Sequence, residues 1–514
     1  MAQSRLTYAR RNIKSAVVIK LVTPITSFIT RTVLIYTLGT MYLGLNGLFT
    51  AVIQVLNLAE LGFGSAMVFS LYKPMAEDDR PTICALLRLY RRIYRIVGVV
   101  ILAAGVALIP FLPKLIKGSL PAGLNLTALY LIRLADTSVS YFLFSYRSAL
   151  LDASQQKSAF YYIHSAGKIG LCVLQVTLLL LFRNYYMFCI VQPLIQVGIN
   201  LAVWRLTQRR FPQYQCAGDL PREAVRDISK RVTGLFMFKV CHVLRNSFDS
   251  IILSAFLGLD ILARYQNYLL IVTTLVGITA VLTDSTLSSV GNSVAMETKE
   301  KNYRDFCAVQ MAFLWAVGCI CACMCGLYQP FIRFWVGEQN LLSGRLMLVF
   351  VVYFFTERMG NVCFQYRQAS GLWWEDRLRP VVDGVTNLIL NFILVQYIGV
   401  AGVMLSTIFC QVVIDALWGS RILFRFYFTE WKQRRYLLRL LVYAAVTAAA
   451  CWAAMAVCRF IPEAGGNAFA TLCWMGLRGV ICVAVSNPIF FLAYRFLPEY
   501  GDAKRMVLRI LKKA

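Results

Sequence analysis

The stretch SAVVIKLVTPITSFITRTVLIYTLG, residues 15–39, decides the fold. It holds no acidic residue and is apolar over most of its length. It is long enough to cross a bilayer as a helix, which takes roughly 20 apolar residues. Yet it contains Lys20 and Arg31, and a charge within a spanning helix costs roughly 2.5–3.5 kcal/mol on insertion scales. Such residues need water, a counter-charge or a ligand. The Arg-rich residues 1–14 lack a cleavage signature, so 15–38 reads as a first membrane span and not as a removed signal peptide.

The rest of the chain repeats this pattern. Of 514 residues, 59% are apolar and 15% charged, with a mean hydropathy of +0.63. Soluble domains are about 45–50% apolar and about 25% charged. A soluble enzyme, a disordered chain and a nucleic-acid-binding module are thereby excluded. Thirteen further apolar runs follow, at 45–71, 93–112, 124–146, 158–182, 185–204, 232–257, 266–295, 306–328, 342–366, 380–397, 400–420, 437–460 and 468–494. None alternates as barrel strands do. The expected class is an all-α integral membrane protein of about 14 transmembrane helices. Most of the 16 cysteines, including Cys319, Cys321, Cys323 and Cys325, sit in these runs and read as small buried hydrophobes, with no metal expected.

The net charge of +27 is a statement about topology. With fourteen spans both termini share one side, and the loops on that side hold 37 of the 52 Lys and Arg. The opposite loops hold only 7: Lys114, Lys117, Arg183, Arg264, Arg333, Arg345 and Arg459. This asymmetry puts both termini in the cytoplasm.

The two halves match at a shift of about 220 residues. Tyr146-Arg147 ends the fourth span and Tyr366-Arg367 the tenth; Leu38-Gly39 ends the first and Leu257-Gly258 the seventh. Gly118 and Gly337 follow the third and ninth, and the turn AEDD (76–79) answers METKE (296–300). Six spans per half give parallel repeats related by an axis along the membrane normal. The expected organisation is an N-lobe (1–206), a cytoplasmic linker (207–231), a C-lobe (232–428), two extra helices (429–495) and a basic amphipathic tail (496–514). The Ala-rich thirteenth span has a composition that permits close packing.

Helical spacing gathers the buried charges into stripes. Lys20, Ser27 and Arg31 share a line on the first span, and Tyr161, His164, Lys168 and Gln175 one on the fifth. Arg133, Asp136, Ser140 and Arg147 do so on the fourth, and Lys239, His242, Asn246 and Asp249 on the seventh with Arg245 at the edge. One polar stripe on each of several helices is the sequence pattern of a water-filled cavity. Competing readings stay open: Arg133 and Asp136 neutralise each other, Lys20 snorkels to the surface, Glu357 and Arg358 pair with other helices, and the two histidines are structural and not proton carriers. Within spans, the first half has four bases against Glu60 and Asp136, whereas the second is acidic, with Asp249, Asp284, Glu357, Asp383 and Asp415. A cationic cavity suits phosphate or pyrophosphate, since Arg offers a planar fork and Lys a point charge. The candidate headgroup ligands are Arg31, Lys20, Lys168, Arg133, Lys239 and Arg245. Glu60, Asp249, Asp284 and Asp136 are candidate counter-charges or holders of a coupling Na⁺ or H⁺. No Walker A loop, zincin motif or outer catalytic domain is present, so no enzyme is expected.

RNIKSAVV (11–18), RTVLIYTLGTMYLGLNGLF (31–49) and LAELGFGSAMVFSLYKPMAEDD (58–79) resemble polysaccharide-type (Wzx-like) flippases of the multidrug/oligosaccharidyl-lipid/polysaccharide (MOP) superfamily. The resemblance is sharpest over about residues 10–80 and extends along the chain as an architecture. It implies that undecaprenyl-pyrophosphate-linked oligosaccharide is flipped across the bacterial cytoplasmic membrane by alternating access, for O-antigen, capsule or exopolysaccharide synthesis. It also implies that spans one, two, seven and eight line the cavity, with Arg31 and Glu60 as the matching charges of the first two. Expected partners are membrane lipid and this glycolipid, with a polysaccharide polymerase and glycosyltransferases as further candidates; no nucleic acid is expected. The dense Arg cluster of the peptidoglycan-precursor branch is missing. The alternatives are a cation-coupled multidrug or metabolite antiporter of the same superfamily and a non-transporting assembly scaffold. The orientation is checked with a C-terminal green fluorescent protein fusion, expected to fluoresce, and an alkaline phosphatase fused after Lys117, expected to be active only because that loop lies outside.

Overall fold

The computed structural model describes residues 2–60, 63–118, 120–121, 123–154, 156–223, 225–226, 243, 245, 247–284, 287–428, 430–461 and 467–513. The described residues are overwhelmingly helical and contain no strand. Residues up to Ala263 form one compact unit and those from Arg264 a second. Among the described residues eleven helices are long and apolar enough to cross a membrane, and the protein is a multi-pass membrane protein.

In the first unit the helices are α1 (Ala2–Thr37), α2 (Thr40–Leu56), α3 (Phe63–Glu77), α4 (Arg80–Leu108), α5 (Leu126–Phe142), α6 (Ser148–Ala153), α7 (Lys157–Phe182), α8 (Tyr185–Arg210) and α9 (Ser247–Leu257). In the second they are α10 (Leu259–Asp284, which starts just before the boundary), α11 (Leu287–Met296), α12 (Lys299–Val336), α13 (Gly344–Met359), α14 (Asn361–Ala369), α15 (Arg379–Ile398), α16 (Val400–Phe409), α17 (Gly419–Phe426), α18 (Glu430–Arg459), α19 (Ala468–Tyr494) and α20 (Tyr500–Lys513). Each expected span other than the seventh coincides with one helix or a broken pair among the described residues; the linker's 224 and 227–231 and most of the seventh span lie outside them.

Two expected spans are interrupted within the described residues, each for a local reason. The expected run 45–71 is interrupted where α2 ends in a 3₁₀ turn at Asn57–Glu60. The run 124–146 stops at Phe142, because Phe144 adopts φ 56° and the chain turns before α6. Of the run 232–257, the described continuous helix is Ser247–Leu257.

The internal repeat is written in backbone geometry. Gly39 and Gly258 both take positive φ, 107° and 92°, where the first helix of each repeat ends. Gly118 and Gly337 do likewise, at 96° and 87°, after the third. Only glycine adopts this region without strain. The helix caps repeat too: Asp79 accepts from the Thr82 amide at the start of α4, and Thr298 from the Lys301 amide at the start of α12. The Thr82 hydrogen bonds hold the Asp79 carboxyl below its ordinary pKa. Asn125 and Ser343 cap α5 and α13 in the same way. Tyr146-Arg147 and Tyr366-Arg367 are buried in their respective units.

Apolar side chains fill the interior and also cover the exterior. Val99, Val100, Leu180, Leu181, Leu477 and Val480 face outward, while Arg133, Gln175, Asn200, Asn387 and Asn391 are buried. That suits a chain whose outer solvent is hydrocarbon. In the second unit α18 and α19 pack on α12, and glycines of α12 admit the contact. A Cβ at Gly318 would come within 2.4 Å of Phe490, and one at Gly326 within 2.5 Å of the Cys482 sulfur. The alanines of α18 contribute less than their number suggests: Ala450 and Ala454 are buried, but Ala445, Ala448 and Ala449 are exposed. The tail forms the helix α20, with Asp502 accepting from Arg505 at 2.6 Å.

A buried ionic cluster ties α14, α15 and the π-helical segment Cys410–Trp418 together. Asp376 accepts from Arg379 at 2.6 Å and lies 3.5 Å from Arg367, and Arg379 also donates to Asp415. Glu357 pairs with its neighbour Arg358 at 3.2 Å and accepts from Gln411 at 2.7 Å, so this pair closes within the unit. Removing one member of a buried pair leaves a stranded charge, a loss of about 3–5 kcal/mol. Asp376→Asn is therefore expected to lower the thermal unfolding midpoint of the purified protein markedly, read by fluorescence-detected size exclusion after heating.

Candidate functional site

The first unit encloses a cavity of about 260 Å³. Thr23, Thr26, Ser27, Thr30 and Arg31 of α1 line one side. Asn46 of α2 and Arg133 of α5 contribute to it, as do Lys168, Leu171, Cys172 and Gln175 of α7, and Phe188 and Gln192 of α8. Local sequence explains the positions. On α1 the lining residues recur at helical spacing around Pro24, and their hydroxyls bond back to their own helix: Thr23 to the Ile19 carbonyl, Thr26 to Val22 and Ser27 to Thr23. Each hydroxyl oxygen keeps acceptor capacity towards the cavity. The α7 residues form the facing stripe, and α1 and α7 pack along their length.

Polar contacts hold the bases in place. Lys168 Nζ donates to Thr23 Oγ1 at 3.0 Å. Arg133 donates to the carbonyl oxygens of both Gln192 and Asn46. Gln192 in turn donates to Asp136 at 2.7 Å, so Arg133 and Asp136 are joined through an intervening amide. Arg133 Nε and Asp136 Oδ1 are buried without a hydrogen-bond partner. Gln175 donates to the Phe188 carbonyl at 3.0 Å, fixing α7 to α8. Among the described lining residues there are three cations and no carboxylate.

The structure brings Arg31, Arg133 and Lys168 to one cavity, with Asp136 one amide behind it. Lys20 is exposed on α1 and does not line it. Arg245 and Asp249 are buried one helical turn apart, outside the lining, where Ser247 of α9 donates to Gln54 of α2 at 3.2 Å. Lys239, His242 and Asn246 lie outside the described residues, and so do the side chains of Glu60 and Asp284. His164 is half-buried, with its ring 4.0 Å from that of Phe160. Arg147 lies beyond the break after α5, so the stripe drawn through Arg133 and Asp136 does not continue to it. Thr23, Thr26, Thr30, Asn46 and Gln192 were not singled out by the sequence pattern. The run TPITSFIT (23–30) does carry a signal for the first three.

A second polar seam lies in the second unit. Asp383, Asn387 and Asn391 follow one another at four-residue spacing on α15, all buried. Asn387 donates to Thr407 at 3.0 Å, Asn391 donates to Asn387 at 3.1 Å, and Ser406 donates to Asn391.

No family profile and no curated protein matches the chain. Solved structures do resemble it. The lipid II flippase MurJ, in an inward closed conformation, superposes with a TM-score of 0.68 at 14% identity, over 96% of this chain and 99% of that one. An inward-facing multidrug resistance MATE family transporter of the MOP superfamily gives 0.58 at 15%, over 79% and 97%. The Vibrio cholerae MATE transporter VcmN gives 0.54 at 11%, over 82% and 98%. The fold is thus that of MOP-superfamily transporters. Within the cavity, Gln192→Leu is expected to remove one of Arg133's two amide acceptors and the amide that donates to Asp136. The expected loss is about 1–3 kcal/mol for each polar atom left unsatisfied, seen as a lower unfolding midpoint.

Proposed function

We propose that the protein is a polysaccharide-type flippase that carries undecaprenyl-pyrophosphate-linked oligosaccharide from the cytoplasmic to the outer leaflet of a bacterial cytoplasmic membrane, for O-antigen, capsule or exopolysaccharide synthesis. One observation carries the reading: Arg31, Arg133 and Lys168 border a single cavity whose other polar lining is hydroxyl and amide. Such a lining offers a phosphate a planar fork, a point charge and neutral donors. It also explains why bases persist at a depth where each costs roughly 2.5–3.5 kcal/mol if left facing lipid. The fold likeness to a lipid II flippase is consistent with a lipid-linked substrate. The cycle is alternating access, driven by the membrane potential or by Na⁺ or H⁺. Asp249, and Asp383 beside Asn387 and Asn391, offer buried oxygens of the kind a hard cation takes. Glu60 and Asp284 remain proposed counter-charges, and Lys20, Lys239 and Arg245 proposed secondary contacts of the headgroup. A polymerase and glycosyltransferases are the proposed partners.

A second reading is a cation-coupled multidrug or metabolite antiporter, favoured by the fold likeness to MATE transporters and by the buried acids of the second unit. It calls for transport of cationic dyes, which three lining cations oppose. In cells deleted for the gene, Arg31→Ala and Lys168→Ala are expected to reach the membrane at normal levels and to fail to restore surface polysaccharide. Full export by both variants, or dye efflux by the wild type with no effect on polysaccharide, would overturn the flippase reading.

A further inference from the structure

A second cavity of the first unit has a different chemistry. It measures about 490 Å³, within the about 300–1,000 Å³ usual for small-molecule sites. Four aromatic side chains line it: Phe69 and Tyr72 of α3, and Tyr90 and Tyr94 of α4. Its polar edge is Ser148, Asp152 of α6 and Lys157 at the start of α7. Lys157 donates to Asp152 at 3.1 Å. The cavity sits where loops 73–95 and 147–157 emerge, on the Lys/Arg-rich side of the helices.

The lining selects among ligand classes. A cation would favour the aromatic faces, but the one carboxylate is already neutralised by Lys157. An anion would find a single base, itself paired, while three bases wait in the neighbouring cavity. A hydrocarbon tail would take the Tyr72 hydroxyl and the half-exposed Lys157–Asp152 ion pair out of water. What remains is a neutral polyol with an apolar face. A pyranose has one: its axial C–H groups stack on an aromatic ring, and its equatorial hydroxyls meet the donors and acceptors at the rim.

The two cavities are aligned by one helix. Lys157 borders the aromatic cavity and Lys168 the cationic one. Eleven residues of helix separate them, about 16 Å at the usual rise and about 20° apart in direction. Tyr161 and His164 lie on the same stripe between them, and Lys157 Nζ sits 5.8 Å from the Tyr161 ring centre. Four polar residues of α7 thus follow one direction from one cavity to the other. The distance suits a short oligosaccharide.

We infer that the aromatic cavity is a glycan subsite: it holds pyranose rings of the substrate while the Arg31, Arg133 and Lys168 cavity holds the phosphate. The inference rests on the flippase reading. Tyr72 is the ring to test, because it is half exposed and its loss opens no core void.

The experiment measures binding to the full-length protein in nanodiscs with two probes. One is undecaprenyl pyrophosphate, which carries no sugar. The other is the lipid-linked oligosaccharide extracted from the source cells. Tyr72→Ala is expected to weaken the glycolipid about tenfold and to leave undecaprenyl pyrophosphate unchanged. Tyr72→Phe, which keeps the ring, should bind both as the wild type does, and Lys168→Ala should weaken both. If Tyr72→Ala changes both probes alike, or neither, the glycan subsite is refuted while the phosphate cavity stands. If the wild type binds neither probe, the flippase reading falls and the subsite falls with it.

Discussion

The governing constraint is the cost of a charge in hydrocarbon. Lipid cannot solvate an ammonium or guanidinium group, so each buried base must be met by protein, water or ligand. The two units meet this demand differently. In the second, Arg358, Arg367 and Arg379 lie against Glu357, Asp376 and Asp415, and the ionic groups close on one another. In the first, Arg133 leans on amide oxygens and Lys168 on a threonine hydroxyl, with the carboxylate of Asp136 set one residue back. Neutral partners hold a base in position without cancelling its charge. An anion entering the first cavity would therefore meet Arg133 and Lys168 held by neutral oxygens, in a medium that screens charge weakly.

Much of this was legible in the sequence. Hydropathy and the Lys/Arg asymmetry sufficed for an all-helical membrane protein with about fourteen spans. The repeat was traced from Gly39 with Gly258 and Gly118 with Gly337, and these four positions take the left-handed backbone that makes glycine necessary. Stripe analysis placed Ser27 with Arg31, and Lys168 with Gln175, on the faces that line the cavity. It could not rank positions along a stripe. Lys20 shares a direction with Arg31 yet lies just beyond Thr23, where the lining ends, and is exposed.

Other features were hidden for physical reasons. Asn46 is a lone amide in an apolar run, and Gln192 begins an amide stripe with Gln196 and Asn200 that names no partner, so only tertiary structure reveals that both grip Arg133. The breaks after Leu56 and Phe142 fall inside continuous apolar stretches, where hydropathy is blind to backbone direction. The alanines of α18 advertised a packing face, but the close approach is made by Gly318 and Gly326 across from it. A small residue marks only where contact is permitted.

The π-helical turns at Cys410–Trp418 hold one residue more per turn than the α-helices on either side. Gln411 and Asp415 hang from this stretch and clasp Glu357 and Arg379. Because both side chains hang from one wide-wound stretch, its pitch sets the reach of the Glu357 and Arg379 contacts alike.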